Sequence, residues 1–88
     1  MKKQLIDNLS FVLITDRNHC KQSLSHTVKS ALEGGVRTVQ LREKGLATHE
    51  LYSIARELRK ITSEFKSNFI VNDRVDIALA VEADGVHL

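Results

Sequence analysis

The strongest constraint on this chain is a repeated alternation. Short runs of β-forming apolar residues each end abruptly in a polar triplet, and stretches with helical spacing lie between them. Phe11-Val12-Leu13-Ile14 stops at Thr15-Asp16-Arg17, Val39-Gln40-Leu41 at Arg42-Glu43-Lys44, and Phe69-Ile70-Val71 at Asn72-Asp73-Arg74. Between the first two runs, Leu24, Val28, Ala31 and Leu32 recur at the spacing of one helical stripe. Between the second and third, Leu51, Ile54, Ala55, Leu58, Ile61 and Phe65 do the same. Strands alternating with helices imply a parallel sheet joined by right-handed crossovers.

The punctuation agrees with this reading. Ser23 is placed to cap the first helix, and Gly34-Gly35 ends it where a positive φ is wanted. Residues 36–42 form the second strand, and Glu43 to Ala47 a loop. Thr48 is expected to cap the second helix, with Glu50 in its first turn set favourably against the helix dipole. Ser67-Asn68 lead into the third strand, and a short apolar helix runs from Val75 to about Glu82. Asp84-Gly85 then turns the chain into Val86-His87-Leu88, the start of a fourth strand. The order is βαβαβαβ, an α/β parallel unit with no linker or low-complexity segment. An open doubly wound sheet and part of a (β/α)₈ barrel both fit it, a whole barrel being about 250 residues long. The first run, apolar throughout, reads as a strand covered on both faces.

Size and charge exclude several classes. Eighty-eight residues make one small domain, burying roughly 60–65% of the surface its unfolded chain exposes. Hydrophobic content of 42% and charged content of 27% are those of a globular chain. A formal charge of +2, with basic residues spread along the chain, argues against nucleic acid. The single cysteine, Cys20, can form no intramolecular disulfide and reads as an unremarkable thiol that fits a reducing cytoplasm. Met1-Lys2-Lys3 is not followed by an apolar run long enough for a signal peptide, and no segment approaches a membrane span. The expectation is a soluble, cytoplasmic protein with no membrane partner.

The function-bearing pattern lies at the end of the second strand. Gln40, Arg42 and Lys44 are donors at a spacing of two, and side chains two apart on an extended segment share a face. Folding does not require three donors on one side of a strand end, whereas an anionic ligand would. Polar residues also follow every other strand, and in both candidate architectures ligands bind at the carboxyl ends of parallel strands.

These residues resemble a known family. Val39-Gln40-Leu41-Arg42-Glu43-Lys44, Asn72-Asp73-Arg74-Val75-Asp76-Ile77-Ala78-Leu79-Ala80 and Ala83-Asp84-Gly85-Val86-His87-Leu88 are similar, in order and spacing, to successive motifs of thiamine phosphate synthases, and Ile14-Thr15-Asp16-Arg17 to the end of their first strand. The resemblance implies the N-terminal half of a (β/α)₈ TIM barrel, so residues 1–88 read as one incomplete domain ending after strand 4. It implies a transferase of thiamine biosynthesis that couples an aminopyrimidine diphosphate with a thiazole phosphate and releases pyrophosphate, with Mg²⁺ as cofactor. On that basis Gln40, Leu41, Arg42, Glu43, Lys44 and Asn72 bind substrate, and Asp73 is a Mg²⁺ ligand. No catalytic residue is assigned, because the family's second metal aspartate and its later phosphate loops fall beyond Leu88.

Plainer readings stand beside these. Arg42 and Lys44 can be solvated charges, Asn72 a turn residue, and Asp73 the N-cap of the helix that follows it. Glu43 pairs naturally with a basic neighbour, Asp76 complements a helix dipole, and Gly45 is expected to take positive φ. His19, His26 and His49 lack metal-ligand spacing, and His87 can be a core, surface or pocket residue. Two other functions remain open. One is a non-catalytic form that self-associates or takes a separate C-terminal half. The other is the related thiazole tautomerase, against which Asn72-Asp73 and the Gln40 to Lys44 set argue.

Overall fold

The structure is a computed structural model that describes residues 12–88; Phe11 and the Met1-Lys2-Lys3 start lie outside the described residues. Strand β1 spans Val12–Ile14, followed by a 3₁₀ turn at Arg17–His19 and helix α1 at Leu24–Glu33. Strand β2 is Thr38–Leu41, helix α2 Thr48–Glu64 and strand β3 Asn68–Asn72. Helix α3, Val75–Ala80, leads to strand β4, Gly85–His87. The expected order of strands and helices is the order found; the 3₁₀ turn sits in a stretch that reads as plain loop.

All pairings are parallel, and the sheet runs β1-β2-β3-β4. Four strands in sequential order, without the reversal of a doubly wound sheet, are the progression of a barrel wall. Burial alternates along the strands. Val39, Leu41, Phe69 and Val71 are buried against the helices, whereas Thr38, Gln40, Ile70 and Asn72 face the other way and are half-buried. Among the described residues, the helices therefore cover one face of the sheet. Val12 and Ile14, expected to be covered on both sides, remain 47% and 50% exposed. The apolar run marked a strand correctly, but it could not say which faces would be covered.

The core lies between that face and the helical stripes. Val28 and Leu32 of α1, and Leu51, Ala55 and Leu58 of α2, pack with the four strand residues just named. Burying each large apolar side chain is worth about 1.5–3 kcal/mol. Thr62 is also buried, and its hydroxyl donates to the Leu58 carbonyl at 2.9 Å, so it joins an apolar stripe without leaving a polar group unpaired.

Caps match in part. Ser23 Oγ accepts the His26 N–H at 3.2 Å, and Gly35 takes φ +109° just past α1. The cap of α2 differs from expectation: Ala47 holds that position, Glu50 reaches back to its N–H at 3.2 Å, and Thr48 is the first helical residue. The Thr48 hydroxyl instead accepts from Arg74 Nη2 at 3.2 Å.

Candidate functional site

The carboxyl ends of β1, β2 and β3 meet at one end of the sheet, where the ladder gives way to side chains. The Thr15 N–H continues the β1–β2 pairing to the Gln40 carbonyl at 2.9 Å, and its buried hydroxyl accepts the Arg42 N–H at 3.0 Å. Arg42 and Lys44 follow on the loop after β2, both with exposed side chains. Among the described residues, neither side chain has a hydrogen bond or ion pair. Gly45 then takes φ +81°, as expected of a loop that must turn sharply here.

Two clefts open at this end and Lys44 borders both. One is lined by Thr15, Asp16 and Arg42, and the other by Asn72, Asp73 and Arg74. Glu43 lines both as well, so the donors after β2 and the polar pair after β3 belong to one continuous surface with Glu43 and Lys44 at its junction.

A polar row crosses the open face of the sheet just below. Asn72 pairs in register with His87, and Gln40 lies on the same face one strand away. Asn72 Nδ2 donates to Gln40 Oε1 at 3.4 Å and lies 3.3 Å from His87 Nδ1, to which it donates when that nitrogen carries no proton. His87, open in the sequence, is therefore a neighbour of this site and not a core residue.

Asp73 is held in an unusual conformation. Its φ is +67°, the Arg74 N–H closes a three-residue turn onto the Asn72 carbonyl at 2.8 Å, and its own N–H donates to the His87 carbonyl at 2.7 Å. The capping expectation fails here, because Arg74 occupies the N-cap of α3 and no side chain caps that helix. Lys66 and Glu82 also take positive φ, and aspartate tolerates that region better than most residues, so the conformation fixes where the Asp73 carboxylate stands without by itself marking a site. Arg74 is committed elsewhere. Its fork donates to Asp76 at 3.0 and 2.8 Å, and these bonds hold the Asp76 carboxyl below its usual range and raise the guanidinium above its own.

A sequence model described as thiamine monophosphate synthase matches residues 11–88. The chain belongs to the thiamine monophosphate synthase family. It is 46% identical over 82 residues to a thiamine-phosphate synthase of Clostridium novyi, which covers 92% of this chain and 40% of that protein. A putative thiamine-phosphate synthase 2 of Aquifex aeolicus is 52% identical over 75 residues, covering 85% of this chain and 40% of the relative. The solved structure of a thiamine phosphate pyrophosphorylase from Pyrococcus furiosus superposes with a TM-score of 0.83 at 45% identity, over 96% of this chain and 41% of that one. The chain spans about 40% of the length of the curated relatives it matches, and its four parallel strands match an N-terminal portion of the family's fold.

The residues expected to bind substrate divide by placement. Arg42, Lys44 and Asn72 have side chains at the clefts, and Gln40 stands in the polar row beside them. Leu41 is 1% exposed and belongs to the core, which borders one of the clefts at this position. The Glu43 side chain is 3% exposed, and its carboxylate accepts the Arg17 N–H on both oxygens at 3.1 Å. Thr15 and Arg17, which hold this loop, stand in the sequence only as part of the polar triplet after the first strand, with no role assigned to either. The available signal was a polar triplet directly after β1, facing a carboxylate between two cations. No helix among the described residues is long and apolar enough to cross a membrane.

Proposed function

We propose that this chain, as a single incomplete barrel domain, carries the diphosphate-binding part of a thiamine phosphate synthase site. The observation that supports this most directly is the position of Lys44, a cation with no paired partner among the described residues, which with Glu43 lines both the Arg42 cleft and the Asn72–Asp73 cleft. In the reaction the resemblance implies, the bond between the pyrimidine methylene carbon and the diphosphate oxygen breaks. The thiazole nitrogen bonds to that carbon, and pyrophosphate leaves. Charge grows on the departing oxygens, so cations fixed around them act most strongly in the transition state. Arg42 and Lys44 would hold the diphosphate. Gln40 and Asn72, already joined to each other, would orient the pyrimidine end.

Mg²⁺ suits the same reading. Among the described residues no group of three or more His, Cys, Asp and Glu side chains could hold a metal ion by itself. Asp73 is a single exposed carboxylate on a fixed turn. One hard carboxylate completed by substrate phosphate oxygens is a donor set that Mg²⁺ accepts. The residues therefore fit an ion that arrives with the diphosphate. When bound, Mg²⁺ would neutralise charge on the leaving pyrophosphate.

The test is calorimetric titration of the chain with the aminopyrimidine diphosphate, with and without Mg²⁺. Saturable binding that strengthens with Mg²⁺ is expected. Heats no larger than those of dilution under both conditions would remove the proposal.

A further inference from the structure

We propose that Arg17 and Glu43 are positioning residues that brace the cation-bearing loop after β2, and that they act on an anionic ligand only through Lys44. The inference rests on the diphosphate reading of the site and adds to it Glu43, whose side chain is turned into the protein, and its partner Arg17, whose side chain is half-buried.

Glu43 sits between two exposed cations, yet its own side chain is 3% exposed. An exposed carboxylate there would repel a diphosphate, and a buried carboxylate without partners would be costly. Both problems are met by the 3₁₀ turn after β1. The Arg17 N–H donates to both carboxylate oxygens at 3.1 Å, and the guanidinium Nε lies 3.5 Å from Oε1. That Nε is enclosed and has no hydrogen-bonded partner, so its attraction to Glu43 is ionic.

The same guanidinium continues along the loop. Its Nη2 donates to the Lys44 carbonyl at 3.1 Å, and Nη1 is tied back to Asn18 Oδ1 at 3.1 Å. Nη2 also stands 3.9 Å from the place a Cβ would occupy on Gly45, against the sharpest bend of the loop. Among the described residues, the partners of residues 42–45 are Thr15, whose hydroxyl accepts the Arg42 N–H, and Arg17, which donates to Glu43 and to the Lys44 carbonyl. Without Arg17, a glycine-containing loop would carry Lys44 with no strut on its carboxyl side. An unfixed lysine loses part of its binding energy to ordering.

Charge and geometry oppose each other in one variant, and this makes the proposal testable. Replacing Glu43 by glutamine removes a negative charge near the clefts, so electrostatics alone predicts tighter binding of an anion. Bracing predicts weaker binding, because glutamine cannot hold Arg17 as an ion pair. The experiment titrates the full 88-residue chain with inorganic pyrophosphate, with thermal melts confirming that each variant folds. Glu43→Gln and Arg17→Ala should each weaken binding roughly tenfold, and the Arg17→Ala effect should vanish in a Lys44→Ala background. Tighter binding by Glu43→Gln, unchanged affinity of Arg17→Ala, or an Arg17→Ala effect that persists without Lys44 would each overturn the brace. If Glu43→Gln does not fold, the Arg17–Lys44 cycle decides alone. Absence of pyrophosphate binding by the unsubstituted chain would overturn the diphosphate reading itself, and this proposal with it.

Discussion

Arg59 and Asp84, 25 positions apart, form an ion pair at 2.8 Å that fastens α2 to the turn before β4. The same Asp84 oxygen accepts the Phe69 N–H at 2.7 Å, and the Asp84 N–H returns to the Phe69 carbonyl at 2.8 Å. The guanidinium also lies over the Phe69 ring, 5.8 Å from its centroid. One aspartate thus starts the β3–β4 pairing and ties it to a helix.

The pairing makes stability depend on pH at the acid end. Burial pushes the Asp84 carboxyl up, but the Phe69 N–H and the Arg59 guanidinium more than reverse this and hold it below its usual range. A carboxylate with a depressed folded pKa adds stability above its unfolded pKa and loses it as pH falls through the folded value. Asp84→Asn should therefore lower stability at neutral pH by about 1 kcal/mol, a figure already reduced for the partial exposure of the side chain. It should also flatten the acid limb of the melting-temperature profile below pH ~4. Parallel profiles for the two proteins would contradict this.

Phe69→Ala probes the core beneath that pair. The side chain is fully buried, and truncating such a residue costs about 3–5 kcal/mol. Stability of roughly 0.05–0.15 kcal/mol per residue leaves a chain of this length little margin. Urea titration should show the variant largely or wholly unfolded in buffer. A midpoint close to that of the unsubstituted chain would mean the β3 side chain is not central to the core.

Asp73 separates strain from chemistry. At φ +67° a glycine is relaxed and an asparagine is tolerated better than most residues. Asp73→Asn should leave the melting temperature nearly unchanged, and Asp73→Gly should keep or raise it. Both should abolish the gain in pyrimidine diphosphate affinity on adding Mg²⁺, since neither supplies a carboxylate to a hard cation. Magnesium dependence that survives in both variants would return Asp73 to a purely conformational role.

The sequence made the elements legible because periodicity reports burial. The stripe Leu51, Ala55 and Leu58 and the pair Val39 and Leu41 are buried where spacing says they should be. The donors at Gln40, Arg42 and Lys44 stand out in the sequence as a group, but the shared strand face expected of them does not hold: β2 ends at Leu41, so Arg42 and Lys44 lie on the loop while Gln40 stays on the sheet and pairs with Asn72. What was not legible depends on partners distant in the chain. Thr48 looks like a cap, but its hydroxyl serves Arg74, 26 positions away. Glu43 is equally far from Arg17, and no local pattern joins them. Asp73 before an apolar helix reads as an N-cap, yet the short polar side chain that suits a cap also tolerates left-handed backbone, and here the second use prevails. Val12 and Ile14 show that an apolar run identifies a strand without naming its covered face.

The central claim is that Arg42 and Lys44 form an anion site, and it can be tested by comparing lysines. Lys60, exposed on the outer side of α2 beside Arg56 and Glu57, carries the same charge away from the strand ends. Calorimetric titration with the pyrimidine diphosphate should show Arg42→Ala and Lys44→Ala each weakening binding about 10- to 100-fold, the loss of one charge-assisted hydrogen bond. Lys60→Ala should bind as the unsubstituted chain does. Equal weakening in all three variants would mean that net charge alone attracts the ligand, and would contradict a site at the ends of β2 and β3.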